Sequence, residues 1–252
     1  MLNSIPTGKS PATHSGPSGR SDRPFFLGVA IGITILVLAG FARTFYLHGL
    51  FGVPAPATFM SFHGALMSGW ILLFLVQTWL VSVRRVRWHR RLGVFGASYA
   101  ALVVVVGCMA TLIASAREVR AHSPFVSSQL DVLALELTQM LLFACLVGAA
   151  VRFRNRHDWH KRLMLLATLC ILPNVIVRLS LLTSSELLSQ NIALLTLWAL
   201  LVVAVIALDT FRRRRLHPAF GFAGAAVLLS MYCGHFVGIS QPWSRFASSL
   251  VS

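Results

Sequence analysis

Residues 57–114 decide the fold class, and they read ATFMSFHGALMSGWILLFLVQTWLVSVRRVRWHRRLGVFGASYAALVVVVGCMATLIA. Two apolar runs, Ala57–Val83 and Leu92–Ala114, flank the turn RRVRWHRR at residues 84–91, which holds five arginines. Each run is long enough to cross a bilayer, because a membrane-crossing helix needs about 20 mainly apolar residues. The stretch therefore predicts two transmembrane helices joined by a basic turn.

Long apolar runs separated by short polar or basic segments recur along the whole chain of 252 residues. Apolar residues make up 56% of it and charged residues only 12%, whereas a soluble domain carries about a quarter charged residues. This composition excludes a soluble enzyme, a secreted disulfide scaffold and a disordered chain. It predicts an all-α, polytopic membrane helical bundle with seven transmembrane helices. The predicted spans are Phe25–Ala42, Ala57–Val83, Leu92–Ala114, Leu130–Val151, Leu163–Leu182, Asn191–Phe211 and Pro218–Gly238.

The bundle is expected to occupy residues 25–238, with a terminal segment on either side. Residues 1–24 are rich in Ser, Pro and Gly and have no apolar period, so they predict a disordered cytoplasmic leader. Residues 239–252 predict a short external tail. The first span is interpreted as an uncleaved anchor rather than a cleaved signal sequence, because the polar leader is long and no clear small-x-small cleavage site follows.

The basic residues predict the orientation of the bundle. Of the 22 Lys and Arg, 17 fall in the leader and in the turns 84–91, 152–162 and 212–215. The positive-inside rule therefore places these segments in the cytoplasm and the carboxyl terminus outside. The formal charge of +15 is then explained by anionic lipid headgroups. The expected partner is the bilayer, with other membrane subunits as further candidates, and not nucleic acid.

A short motif occurs twice, each time after a basic turn. Trp88–Leu92 reads WHRRL, Trp159–Leu163 reads WHKRL, and each opens the next span. The repetition predicts an internal repeat of one helical hairpin, related by an axis along the membrane normal. The alternative is that Trp, His and Arg independently favour the headgroup level.

Four histidines are candidate cofactor ligands. The predicted topology places His63 and His235 near the outer face and His89 and His160 at the cytoplasmic border. Histidines in two layers on several helices are what two b-type haems would require, one in each leaflet. The possible cofactor is thus haem b. The alternative is that the histidines are interfacial anchors or hydrogen-bonded packing residues.

Polar residues within the spans form a second group of candidates, Glu136, Gln139, Asn174 and Arg178. A charge at the bilayer centre costs at least about 2.5 kcal/mol, so a charge found there usually faces protein or water. Glu136, Asn174 and Arg178, together with His63, favour the alternative function, a cofactor-free transporter or lipid-binding protein with an outward-facing polar site. Glu136 and Arg178 are equally consistent with a structural ion pair. Asp131 and Asp209 lie near span ends, where water or a loop arginine is within reach.

Catalytic signatures are absent from the chain. It contains no HExxH, GxSxG or phosphate-binding loop motif, so no catalytic residue is predicted and enzyme activity is left open. The four cysteines stand singly in four different spans, which indicates neither a disulfide framework nor a metal site.

Two stretches resemble known membrane families. Residues 62–93, FHGALMSGWILLFLVQTWLVSVRRVRWHRRLG, resemble a group of uncharacterised bacterial inner-membrane proteins that share a helix-borne HG followed by HRRLG. Residues 160–179, beginning HKRLM, resemble the same group and small membrane proteins linked to cytochrome oxidase assembly. His63 followed by His89 is remotely similar to ascorbate-reducible b-type cytochromes. The resemblance implies haem-binding electron transfer, or haem and oxidase maturation, although His89 and His160 lie nearer the membrane edge than that family's ligands.

Overall fold

The computed structural model describes residues 18–122, 126–180 and 191–251, and within these ranges the chain is helical without strands. Two short helical turns, Ala42–Tyr46 and His48–Phe51, link the first two α-helices. The helices are α1 Ser18–Phe41, α2 Thr58–Ser82, α3 Val86–Arg120, α4 Val126–Arg152, α5 His157–Cys170, α6 Pro173–Ser180, α7 Asn191–Arg213, α8 Pro218–Gly238 and α9 Gln241–Val251.

Six of the described helices, α1 to α4, α7 and α8, are long and apolar enough to cross a membrane. The helices α5 and α6 are bent by 42° at a short break, and together they would make a seventh span. The predicted all-α membrane bundle is therefore confirmed as a class, with six or seven spans. The predicted third span, Leu92–Ala114, is shorter than α3, which begins at Val86 and continues to Arg120.

Both predicted terminal segments contain helix. Helix α1 begins at Ser18, so the last seven residues of the predicted leader, 18–24, are helical, and residues 1–17 lie outside the described part. The predicted tail contains α9, whose Ala247 and Val251 are buried. The indole N–H of Trp243 donates to the Leu130 carbonyl at 2.7 Å and attaches α9 to α4. The tail is amphipathic, and its apolar face packs back on the bundle.

The break between α5 and α6 follows from Pro173. Proline has no N–H, so the helical hydrogen bond from residue 173 to the Leu169 carbonyl cannot form. The indole N–H of Trp198 in α7 donates to that carbonyl at 2.8 Å, and the Gln139 amide in α4 donates to the Cys170 carbonyl at 2.9 Å. Backbone groups freed within a membrane must find partners in the protein. Two neighbouring helices therefore stabilise the bend.

Helix α4 lies at the centre of the bundle and packs on α3, α5 and α8, while α2 packs on α1 and α3. The small residues of α3 admit side chains from both neighbours. At Gly107 the side chains of Met67 and Met140 occupy the space that a larger residue would need. Helix packing therefore fills the space along this face of α3 at Gly107.

Candidate functional site

The three basic turns meet at one end of the bundle, which we call the basic end and define by residues 84–91, 152–162 and 212–217. The ring centres of His89 and His160 are 6.2 Å apart, and those of Trp159 and His217 are 5.7 Å apart. These contacts join α3 to α5, and α5 to the turn before α8. The sequence prediction that the basic turns share one side is consistent with this arrangement.

The half-buried histidines His89 and His160 form a pair at the basic end, with their ring planes at 78°. The Nδ1 atom of His160 lies 2.8 Å from the Ala150 carbonyl. A carbonyl accepts only, so Nδ1 carries the proton and Nε2 keeps a lone pair. Among the described residues, Nε2 of neither ring has a hydrogen-bonding partner. The structure thus brings together the two histidines predicted for the inner layer.

Gln77 of α2 orients the other ring of this pair. When its amide oxygen accepts from the Gly93 N–H at 2.9 Å, its nitrogen donates to His89 Nδ1 at 2.6 Å and to the His89 carbonyl at 3.2 Å. Each histidine ring is therefore held at Nδ1 from a neighbouring helix. Gln77 lies on the same face of α2 as His63, but its link to His89 was not predicted from the sequence.

The two histidines predicted for the outer layer lie on helices that are not main packing partners. His63 is on α2, which packs on α1 and α3, whereas His235 is on α8, which packs on α4, α5 and α7. The Nδ1 atom of His63 is buried and has no hydrogen-bonding partner in the described part of the chain. His235 lies beside Phe236 and acts electrostatically on Asp131. The structure does not juxtapose these rings as it does His89 and His160.

The polar interior residues gather where the span is broken. A cavity of about 50 Å³ is lined by Val132, Leu135, Glu136, Gln139, Pro173, Asn174, Val177, Leu194 and Leu195. Asn174 and Glu136 line this cavity from α6 and α4, and Arg178 acts on the Glu136 carboxyl electrostatically. Arg178 is exposed and stacks over Phe41 at 5.9 Å. The ion pairs of the described residues do not include one between Glu136 and Arg178.

A buried ionic cluster at the basic end was not predicted from the sequence. The Arg162 side chain is 0% exposed and forms a two-pronged ion pair with Asp209, with an Nη2–Oδ2 distance of 2.7 Å. Its guanidinium also stacks over Phe26 and Phe220. The cluster contains three acidic and three basic side chains, Asp22, Asp158, Asp209, Lys161, Arg162 and Arg213.

The sequence feature that could have indicated this cluster is the position of its three aspartates. The chain has only seven acidic residues, and Asp22, Asp158 and Asp209 all lie next to a basic segment. The prediction that Asp209 reaches a loop arginine is confirmed, with Arg162 as its partner. Of the two partners expected for Asp209, water and a loop arginine, the arginine is the one present, and Asp209 is only 1% exposed. The cluster binds α1, α5 and α7 together with no net charge of its own.

No group of three or more His, Cys, Asp or Glu side chains that could hold a metal ion occurs within the described ranges. The histidine pair and the cavity beside Glu136 are thus the two candidate sites that the geometry offers. The chain matches no family model, and no curated protein or solved structure is detectably similar to it.

Proposed function

We propose that this integral membrane protein carries a haem b between His89 and His160 and uses it for electron transfer at the basic end of the bundle. In this proposal the bundle has seven spans, the basic end faces the cytoplasm, and the membrane is a bacterial inner membrane. A bound haem would supply reversible one-electron chemistry. A role in haem or oxidase maturation would use the same two ligands.

The separation of the two rings is the observation that carries the proposal. Two imidazoles on opposite sides of one iron, each bonded at about 2 Å, have ring centres about 6 Å apart. The ring centres of His89 and His160 are 6.2 Å apart. The pair also joins two helices from different hairpins, which is how axial ligands are supplied within helical bundles.

The hydrogen bond at His160 Nδ1 further supports the proposal. Metal-ligating histidines usually donate their second ring N–H to a carbonyl or a carboxylate, which fixes the tautomer. His160 already does so towards Ala150. For His89 to bind through Nε2, the Gln77 amide must turn so that its oxygen accepts from Nδ1–H. An amide end can serve either as donor or as acceptor.

The charges at the basic end suit a cofactor with two carboxylates. Arg90 follows His89 directly and acts on it electrostatically, and both Arg90 and Arg91 are exposed. Arginine pairs well with planar carboxylate groups. We therefore expect these two arginines, rather than the buried Arg162, to hold the propionates.

The proposal covers one haem, not the two that the sequence pattern predicted. His63 and His235 lack the juxtaposition that supports the inner pair, so they are not proposed as ligands of one iron. The transport alternative has weaker support, because a cavity of about 50 Å³ accommodates a few water molecules rather than an organic solute.

The test is a visible spectrum of the full-length protein, purified in mild detergent from cells supplied with haem precursor. We expect a Soret band with reducible α and β bands, lost in His89→Ala and in His160→Ala. His217→Ala is the matched control, since His217 also lies at the basic end, and its spectrum should match that of the parent. Colourless parent protein would overturn the proposal, as would a spectrum unaffected by both substitutions.

A second variant separates ligation from folding. His89→Met keeps a side chain that can bind iron, and the change of axial ligand should alter the spectrum and raise the midpoint potential. Folding of every variant is checked by size-exclusion chromatography. A His89→Met protein with the parent's spectrum and potential would show that His89 is not a ligand.

A further inference from the structure

We propose that the cavity at the break between α5 and α6 is a hydrated proton-exchange site, in which the Glu136 carboxyl takes up and releases the proton. The exchange is balanced by water, with the carboxylic acid and water on one side and the carboxylate and hydronium on the other. The site is separate from the histidine pair, so it does not depend on the proposed haem.

The position of the cavity is the first argument for the site. Glu136 and Gln139 line it from α4, and Pro173 and Asn174 line it from the start of α6. Broken helices in membrane proteins commonly create polar sites, because the interruption frees backbone groups within the bundle. Here the freed carbonyls of Leu169 and Cys170 are already occupied by Trp198 and Gln139. The Glu136 carboxyl is the ionisable group of the cavity wall.

The size of the cavity limits what can bind. A volume of about 50 Å³ holds about three or four water molecules. Hard cations such as Ca²⁺ take about six or more oxygen ligands, whereas side-chain oxygens are supplied here only by Glu136, Gln139 and Asn174. The Arg178 charge near Glu136 also disfavours a bound cation. Water and its proton are the species that fit.

The groups around Glu136 do not lock the carboxyl in an ion pair. Thr111 of α3 lies beside it, and Arg178 of α6 acts on it without forming an ion pair within the described residues. From α5, the fully buried Cys170 thiol donates to the Ala167 carbonyl at 3.1 Å. From α8, His235 acts on Asp131. Glu136 is thus free to exchange its proton.

A second buried polar group lies on α3, one turn from Thr111. Ser115 is fully buried, and its hydroxyl has no hydrogen-bonding partner among the described residues. Buried hydroxyls are nearly always satisfied by protein or by ordered water.

The experiment is infrared difference spectroscopy of the full-length protein in lipid, recorded as the pH is changed. We expect a carboxylic-acid C=O band that grows on acidification and moves to lower frequency in D₂O. The band should be lost in Glu136→Gln. The matched control is Asp131→Asn, which removes the other carboxyl group of α4 and should leave the band in place. In Glu136→Asp the band should return at a changed frequency.

Three results would overturn the proposal. The first is a titrating band that survives Glu136→Gln, which would assign the proton to another group. The second is a Glu136 band that does not move in D₂O, because exchange with water would then be absent. The third is replacement of the proton by added Na⁺ at fixed pH, which would make the cavity a cation site. Each of these readouts is independent of whether the protein binds haem.

Discussion

The guanidinium of Arg162 contacts both carboxylate oxygens of Asp209, and the two side chains are only 0% and 2% exposed. These residues are 47 positions apart in the sequence and join the start of α5 to the end of α7. A buried pair of this kind offsets the desolvation of its two charges only when both partners are present. The pair therefore makes the packing of α5 against α7 sensitive to either residue.

Asp209→Asn should destabilise the bundle strongly, because it leaves the Arg162 charge buried without its main partner. Breaking a buried pair costs about 3–5 kcal/mol in soluble proteins, and we expect a loss of this order in detergent. The measurement is thermal unfolding followed by size-exclusion chromatography. Asp131→Asn, at a half-buried position, is the control and should change stability much less. Equal stability of Asp209→Asn and the parent would show that the ion pair does not stabilise the contact between α5 and α7.

Trp198→Phe should weaken the bend between α5 and α6. The substitution preserves an aromatic ring but removes the indole N–H that donates to the Leu169 carbonyl. That carbonyl still accepts from the Leu172 N–H at 3.2 Å, so we expect a loss of about 1 kcal/mol, the net contribution of one hydrogen bond. Trp79→Phe is the matched control because Trp79 is 46% exposed, and it should be nearly neutral. The measurement is the melting temperature of each variant relative to the parent, and equal shifts in the two variants would contradict the role assigned to Trp198.

Gln77→Glu should lower the midpoint potential of the proposed haem. A carboxylate that accepts from His89 Nδ1–H makes the imidazole a more basic ligand, which favours the oxidised iron. Gln77→Leu removes the hydrogen bond and should weaken cofactor binding by about tenfold or more. Potentiometric titration of the two variants and the parent gives the comparison. Identical midpoint potentials in all three would exclude a link between Gln77 and a ligand.

His217 should make stability fall on acidification. Burial, together with the nearby Arg162 and Arg213, lowers the pKa of His217 below its usual value, and its Nδ1 accepts from the Ala219 N–H at the start of α8. Above the ordinary histidine pKa of about 6.5 the ring is neutral in both states and this stability is fully present. Below that pH the unfolded chain gains a proton that the folded chain resists, so stability is lost.

The check is His217→Asn, which retains a capping acceptor but does not titrate. Melting temperatures are measured at neutral and mildly acidic pH for the parent and the variant. The parent should lose more stability between the two conditions, and the difference isolates His217 from the other histidines. The same pH dependence in both proteins would show that His217 does not contribute.

Much of the helical architecture could be predicted because it depends on local composition. The stretch 57–114 contains two apolar runs long enough to span a bilayer, and α2 and α3 form there. The basic turns indicated which helix ends come together. The contact between His89 at the start of α3 and His160 at the start of α5 agrees with that prediction. The bend at Pro173 was also foreseeable, since a missing N–H is a property of the residue itself.

The partners of individual side chains could not be predicted in the same way. The Gln77 amide, the Trp198 indole and the Arg162 guanidinium all bind groups on other helices. Such contacts depend on which helices are neighbours and on how each is rotated about its axis, and neither quantity follows from apolar length. For the same reason His63 and His235, although at similar predicted depth, lie on helices that are not main packing partners.

The sequence alone therefore determined that this chain is a helical membrane protein with its basic turns at one end, because the free energy of placing apolar and charged residues in a bilayer acts on each segment separately. Only the tertiary structure decided that Asp209 pairs with Arg162, that a histidine pair forms at the basic end, and that Glu136 borders a cavity. These features arise from packing between distant segments, where complementarity of shape and charge chooses among many arrangements of similar hydrophobicity.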